Sequence, residues 1–392
     1  MKKIKNSFGG VIGGLILLVV GTCLLWWNEG NNVKNIATTN EVEKTAIEVK
    51  SDKVESNNEG KLVIVSDKLN VVDEKVEDPD FNVSTKTAKL KRKVEIYQWE
   101  ETENTDEDGN TTYSYEKKWN EELIDSSNFN KSGHENPTNV EVSSETFQAK
   151  EVKIGAFELS SSQISSLGTS AKLNVKDIEL KDDYTYQSEY VTTSKDLTKP
   201  EIGDIRISWE YNDWRETTIL AVQKGDTFAD FVSKNDKKVN RVEKGTLTQK
   251  EIIAKMRSEN KFIKWLLRAV GALLIISGYG AILNPLSTLA SFVPILGGLV
   301  GGLLGLLAFL IGIIHSLLII VIAWFRFRPI LSIALIAVII GLVFAIRKLI
   351  KSKKGTVDQP VETTPEQIVA EVQGPNTEQE EEQLTEDTDN NN

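Results

Sequence analysis

The chain has 392 residues, with 46 Lys or Arg against 57 Asp or Glu and a formal charge of −11. Residues 355–392 hold eleven acidic residues and no Lys or Arg, so the rest of the chain is balanced, and the acidity of this tail argues against a nucleic-acid partner for it. Its single cysteine, Cys23, and two histidines, His134 and His315, exclude a disulfide-stapled ectodomain, a Cys–His nucleophile pair in the soluble region and a multi-histidine metal site.

The first element is GGVIGGLILLVVGTCLLWWNEGNN. No charge interrupts it between Asn6 and Asn28, and about 20 helical residues cross a hydrocarbon layer of about 30 Å. A cleavable signal has a shorter apolar core of about 7–15 residues followed by small residues, whereas this run ends in Trp26 and Trp27 before Asn28 and Glu29. A lipoprotein signal ending at Cys23 would need Gly or Ala where Thr22 stands. The segment is therefore read as a retained helix, with its tryptophans at headgroup level.

From Glu29 to about Gly245 the period-2 alternation of half-buried strands prevails. EKTAIEVKS with KLVIVSD reads as one hairpin, and KVEIYQWEET with TTYSYEKKW as a second, turning at 106–110. GDIRISWEYND with TTILAVQKGD reads as a third, with Ile205, Ile207, Trp209 and Tyr211 on one face. Tyr97, Trp99, Tyr113, Tyr115 and Trp119 gather on the second hairpin, which cross-strand pairing explains better than a ligand platform. Helix is expected only around SSSQISSLG and at the end of this region.

Thr248 and Glu251 form the S/T-x-x-E pattern of a capping box, and Ile252, Met256, Ile263 and Leu267 follow at helical spacing. This predicts an amphipathic helix lying along the headgroups and entering the bilayer near Ile263, with Asn284-Pro285 ending or kinking it. Residues 269–325 hold no charge, and 329–346 form another uncharged run. The stretch 285–325 fits either one long span after a short re-entrant piece or two short spans. Lys2, Lys3 and Lys5 precede the first span, and Arg347, Lys348, Lys351, Lys353 and Lys354 follow the last. The positive-inside rule then puts both termini in the cytoplasm and requires an even number of crossings, namely four. That choice leaves Lys261, Lys264, Arg326 and Arg328 on the far side.

The predicted fold class is thus an integral membrane protein with four transmembrane α-helices, one N-terminal and three C-terminal, and a large β-rich (α+β) extramembrane domain. In order these are a cytoplasmic N-terminus (1–7), a first span (8–28), the β-rich domain (29–246), a juxtamembrane amphipathic helix (247–262) and a second span (263–284). A Gly-rich segment with the third span (285–325), a fourth span (329–346) and a basic, then acidic, disordered tail (347–392) follow. Trp26, Trp27, Trp265 and Trp324 are the expected interface anchors. Gly297, Gly301 and Gly305 repeat at i, i+4, i+8, and Gly9–Gly13 and Gly10–Gly14 repeat the spacing, a pattern that lets helix backbones approach closely.

The segments WNEG (27–30), NEGKLV (58–63), DPDF (78–81), LKRKVEIYQWEE (from Leu90), YSYEKKWNEELIDSSNF (from Tyr113), GHENP (133–137), GDIRISW (from Gly203) and AWFRFRP (323–329) occur in one order. In this combination the chain resembles the transmembrane protein 43 family, also called LUMA. Asn28, Glu29, Gly30, Gly133, His134, Asn136, Pro137, Gly203 and Asp204 carry the resemblance. It implies four spans with cytoplasmic termini and a large lumenal or extracytoplasmic loop. It further implies residence in the endoplasmic reticulum and inner nuclear membrane, self-association, and a scaffold role with envelope proteins. The Lys/Asn-rich composition and long acidic tail depart from that pattern and fit a bacterial or distant member, whose membrane would be the cytoplasmic one.

Candidate chemistry is sparse. His134 sits in a Gly/Pro turn and reads as a structural hydrogen-bonding residue rather than a catalyst. SSSQISS lacks a nucleophile elbow, and Glu100-Glu101 in a strand point to opposite faces. His315 is an intramembrane ionisable group, a functional candidate by default, best read as a neutral ring paired with a carbonyl or Ser316. Asn82, Asn110 and Asn130 head sequons that matter only if the loop is lumenal in a eukaryote. The reading is a non-enzymatic membrane scaffold without cofactor, metal, nucleic-acid or small-molecule partner, bound to the bilayer, to itself and to other membrane or envelope proteins. The alternative is a channel or transport-associated subunit.

Overall fold

The computed structural model describes residues 2–73, 75–105, 111–176, 180, 183–290, 296–330 and 332–334, with 337, 341, 344 and 347. Residues 1–329 form one compact unit and 330–392 a second. The predicted fourth span and acidic tail lie for the most part outside the described residues, as do the 106–110 turn and Asn110.

Helix α1 (Lys2–Thr45) does not stop at Asn28 but runs on for 44 residues in all. Antiparallel to it lies α3 (Gln249–Ala290), and α4 (Leu296–Phe327) packs against both. A one-turn helix, α2 (Ser161–Ser166), opens on a capping box made by Ser160 and Gln163. Gly10–Thr45, Gln249–Ser287 and Val300–Phe327 are long and apolar enough to cross a bilayer. Leu15, Ile16 and Val19 of α1 and Leu303, Leu306 and Leu310 of α4 stand exposed, as a lipid-facing surface requires.

The helix begun at Thr248 continues into the second span as the sequence reading expects, but its surroundings and its end differ from that reading. The amphipathic segment and the second span are one continuous helix, begun by the capping box: the Thr248 amide donates to the Glu251 carboxylate at 2.8 Å. Its apolar face is not laid on headgroups, because Ile252, Ile253 and Met256 are buried against Val42, Leu62, Ile64, Leu220 and Val239. Burying such side chains stabilises by about 1.5–3 kcal/mol each, so the lobe claims that face ahead of the interface. Pro285 lies inside α3, which runs on to Ala290. Proline removes one backbone donor and crowds the preceding turn, and the helix nevertheless continues. From Leu296 onward the Gly-rich stretch is one helix of 32 residues rather than two short spans.

The extramembrane lobe stacks two seven-stranded sheets. In the first, Leu62–Val71 and Glu216–Lys224 pair at the centre. Its two faces are both buried: Val63, Val65, Ile219 and Ala221 meet the second sheet, while Leu62, Ile64 and Leu220 meet α1 and α3. That explains why LVIV and ILAV are continuous apolar runs. In the second sheet Lys89–Thr105 pairs with Thr111–Asn120 from Ile96↔Asn120 to Thr105↔Thr111, the hairpin the sequence predicts.

The other two predicted hairpins are not formed. Ile47–Val49 pairs with Val63–Val65 in parallel, because the intervening chain loops back through a short 3-10 turn at Ser56–Asn58 and re-enters in the same direction. Ile205–Tyr211 joins the second sheet beside Lys89–Thr105, whereas Glu216–Lys224 joins the first. Asn212 fixes this corner: its amide donates to Lys89 O at 2.9 Å, its side chain to Gly168 O at 2.8 Å, and its carbonyl accepts from Thr87 Oγ1 at 2.9 Å.

Candidate functional site

Where α1 leaves the apolar region it meets α3 and α4 in a polar junction. Glu29 is 0% exposed. Its Oε1 accepts from Arg268 Nε at 2.7 Å and lies 2.6 Å from Arg268 Nη2, while Oε2 accepts from Trp324 Nε1 at 3.0 Å. A buried carboxylate is tolerable only when paired and hydrogen-bonded, and one residue from each helix satisfies it. Beside it, Asn28 Nδ2 donates to the Lys264 carbonyl at 3.1 Å. Gly30 is glycine because a Cβ there would stand 2.8 Å from the Phe327 ring. Arg268 also lies over the Trp265 ring, 4.8 Å from its centroid. WNEG and AWFRFRP are thus the two ends of one junction.

The four tryptophans divide in two. Trp27 and Trp265 are 55% and 56% exposed and flank the Asn28–Lys264 contact, as anchors would. Trp26 packs edge-on against Phe327 with ring centroids 5.5 Å apart, and Trp324 binds Glu29.

Deeper in the bundle His315 of α4 lies between Thr22 of α1 and Tyr279 of α3, with Nε2 3.3 Å from Thr22 Oγ1 and Nδ1 3.1 Å from the Tyr279 hydroxyl. Neutral imidazole has one donor and one acceptor, and the two hydroxyls match both. The expected partner Ser316 instead donates to Gly312 O at 2.7 Å.

Small residues bring α1 and α3 together at Gly14, one of the glycines with i, i+4 spacing, and also at Gly21, Gly271 and Gly278. A Cβ at Gly14 would stand 2.7 Å from Gly278 O, and one at Gly271 would stand 2.6 Å from Leu25. Gly13 and Gly305 face open space, and Gly301 meets only Ser287, at 3.3 Å. The side-chain surroundings of Gly9 and Gly297 lie outside the described residues.

In the lobe, GHENP folds against the second hairpin. The Asn136 side chain behaves as a missing strand, accepting from the Trp99 amide at 2.7 Å and donating to its carbonyl at 2.9 Å. His134 is held by stacking rather than by a hydrogen bond. Its ring lies 3.7 Å from that of Tyr115 at 17° and edge-on to Trp99, and its buried Nδ1 has no hydrogen-bond partner among the described residues. Gly133 and Gly203 take φ of +90° and +97°, a region costly for residues with a Cβ. The Gly203 amide donates to Tyr97 O, and the Asp204 carbonyl accepts from Tyr97 N at 2.8 Å, so GHENP and GDIRISW meet along one strand. A cavity of about 570 Å³ opens beside His134, lined by Leu123, Phe129 and Lys131 among others.

One cluster was not read as a site from the linear sequence. Arg92, 2% exposed, donates to Asp78 at 2.7 Å, Asp80 at 2.8 Å and Glu145 at 3.1 Å, while Trp209 Nε1 donates to Asp78 at 2.8 Å. It joins DPDF, LKRK and GDIRISW. The only hint was two acids in a short apolar context. At the lobe base Glu243 is shared by Arg241 and Lys255. Burial alone would raise its carboxyl pKa, but these two cations and their hydrogen bonds hold it below the ordinary value. Burial likewise opposes, and Arg206 with Lys93 outweighs, in lowering that of Glu95.

Comparison with known proteins fits this arrangement. A family model described as Transmembrane protein 43 matches residues 96–329. The chain belongs to the transmembrane protein 43 family. Human transmembrane protein 43 is 29% identical over 378 residues, covering 90% of this chain and 93% of the relative. The mouse protein is 29% identical over 353 residues, covering 84% and 87%. The Drosophila melanogaster homologue is 29% identical over 359 residues, covering 86% and 93%. No solved structure matches. Membership agrees with the resemblance read from the eight segments and makes this chain an integral membrane protein of the transmembrane protein 43 type.

Proposed function

We propose that the protein is a non-enzymatic, multi-pass membrane scaffold that presents its lobe to partner proteins. The observation that carries this reading is the continuity of α1 and α3 from the apolar region into the core of the lobe, locked at Glu29 by all three helices. A lobe so joined transmits position rather than turning substrate over, and its most elaborate polar clusters tie the chain to itself. In this reading a fourth span at 329–346 returns the tail to the side of the N-terminus and leaves the lobe lumenal or extracytoplasmic. The membrane is that of the endoplasmic reticulum and inner nuclear envelope in a eukaryote, or the cytoplasmic membrane in a bacterium. The glycines with open space around them, Gly13 of α1 and Gly305 of α4, serve self-association. The channel reading has weaker support, since both nitrogens of His315 are taken up by neighbouring helices.

Cross-linking in native membranes followed by mass spectrometry tests the proposal. Recovery of further copies of the chain and of other membrane proteins through lobe lysines is expected. Turnover of a small substrate by purified protein, lost on His134→Ala, would overturn it, as would protease on sealed vesicles cutting lobe and tail from one side.

A further inference from the structure

Just outside the apolar region, between α1 and α3, lies a groove of about 300 Å³ whose lining includes Asn32, Ile36, Arg257, Lys261 and Lys264 and no acidic residue. Its cations are unevenly paired. Arg257 Nη2 meets Glu43 at 2.6 Å, and Arg268 below it is committed to Glu29, but neither Lys261 nor Lys264 has a carboxylate within ion-pair distance among the described residues. Asn32, part of that lining, is 4% exposed, and its Nδ2 is buried without a hydrogen-bond partner among the described residues. A buried donor left unmet is destabilising. The Lys264 ammonium lies 5.6 Å from the centroid of the Trp265 ring, so two cations without a carboxylate partner and an unmet amide donor border one cavity, the makings of an oxyanion receptor.

The groove's depth narrows the source of that oxyanion. The contact of Asn28 with Lys264 sets the exposed rings of Trp27 and Trp265 at one level, where indoles settle between tails and headgroups. Asn32 is one helical turn beyond Asn28, about 6 Å at 1.5 Å per residue. The headgroup layer is about 5–8 Å deep on each side of the hydrocarbon, so the end of the groove formed by Asn32, Lys261 and Lys264 opens within it, while Thr39 and Asn40 line the part beyond. Phe262 and Ile263, 66% and 44% exposed, lie beside the lysines where acyl chains begin.

We infer that this groove binds the phosphate of an anionic lipid in the leaflet on the lobe side, with Lys261 and Lys264 neutralising its charge and the Asn32 amide donating to a phosphate oxygen. With the lobe on the far side, as proposed above, the inference also accounts for Lys261 and Lys264 standing where the positive-inside rule expects few cations. It needs only an inserted chain and holds whether or not the scaffold reading does.

The test uses the purified full chain in neutral detergent, titrated with dioctanoyl phosphatidic acid, dioctanoyl phosphatidylcholine and inorganic phosphate, with bound lipid counted by native mass spectrometry. Phosphatidic acid is expected to bind about tenfold tighter than phosphatidylcholine, and Lys261→Gln with Lys264→Gln to lose about tenfold. The paired Lys→Arg variant should keep the preference, and Asn32→Leu should weaken binding severalfold. Melting temperature without lipid controls for folding; if the double variant melts early, Lys261→Gln alone, at an exposed position, carries the test. Equal binding of the two lipids, or an unchanged preference in the Gln variants, overturns the proposal. Inorganic phosphate displacing the lipid at equal concentration would also overturn it, making the groove a site for free phosphate.

Discussion

Gly21 of α1 faces Gly271 of α3 so closely that a Cβ on Gly21 would stand 2.9 Å from the Gly271 carbonyl oxygen. Gly14 meets Gly278 and Asn28 meets Lys264 in the same antiparallel register. The contacts recur every seven residues, the spacing of helices that cross at a shallow left-handed angle. Gly278→Val is therefore expected to lower the thermal stability of the detergent-solubilised chain by several degrees, while Gly305→Val leaves the monomer unchanged. Equal loss from both would contradict the register.

Glu29 is the second test. Glu29→Ala leaves the largely covered Arg268 without its carboxylate, a loss of about 3–5 kcal/mol on the scale of a broken buried pair. Removing both charges, as in Glu29→Leu with Arg268→Leu, should cost less than Glu29→Ala alone. Denaturant unfolding of the three variants separates these outcomes.

Arg92 is expected to resist conservative replacement. Its guanidinium reaches Asp78, Asp80, Glu145 and the Ser143 carbonyl at once, a fork that one ammonium does not reproduce. Arg92→Lys should destabilise by about 2–4 kcal/mol, within the range for a disrupted buried network. Lobe unfolding followed by tryptophan fluorescence, with Trp209 as reporter, measures it.

Acid should loosen the lobe through Glu95 and Glu243. Both have folded-state pKa values below the ordinary glutamate value of 4.5. For a depressed carboxyl the stabilisation is complete above the unfolded value and disappears as pH falls through the folded one. Melting temperature should therefore hold between neutral pH and about 5, then fall below about 4.5. Glu243→Gln should flatten that acid limb while lowering stability at neutral pH. A steeper limb in the variant would reverse the sign and refute the assignment.

Asn136 offers a smaller and local effect. Its side chain completes the backbone bonding of Trp99, so Asn136→Ala should expose that strand edge and raise amide exchange at Trp99 without unfolding the sheets. Unchanged protection at Trp99 would show that the contact contributes nothing.

Some of this was legible in the residues themselves. Uncharged length marked the apolar helices, because a bilayer admits little else. The second hairpin was readable because cross-strand aromatics flank an obvious turn, and Thr248 with Glu251 announced the start of α3. The seven-residue glycine register was present in the sequence but hidden by the denser i, i+4 pattern of Gly297, Gly301 and Gly305, which is a stronger signal on paper. Nothing in the spacing of Glu29, Arg268 and Trp324, or of Asp78, Arg92 and Trp209, announced that each trio would meet.

Local composition by itself determined where the chain is apolar, where it alternates and where it turns, since hydrophobicity and backbone preference act between near neighbours. Only the tertiary structure decided partners. YNDWRE turns the chain in either case, but burial of both faces of ILAV sends the following strand to the opposite sheet. The same demand keeps α1 helical past Asn28 and makes Ile47–Val49 run parallel to Val63–Val65. Such choices depend on which surfaces remain to be covered, a property of the assembled molecule and of no segment alone.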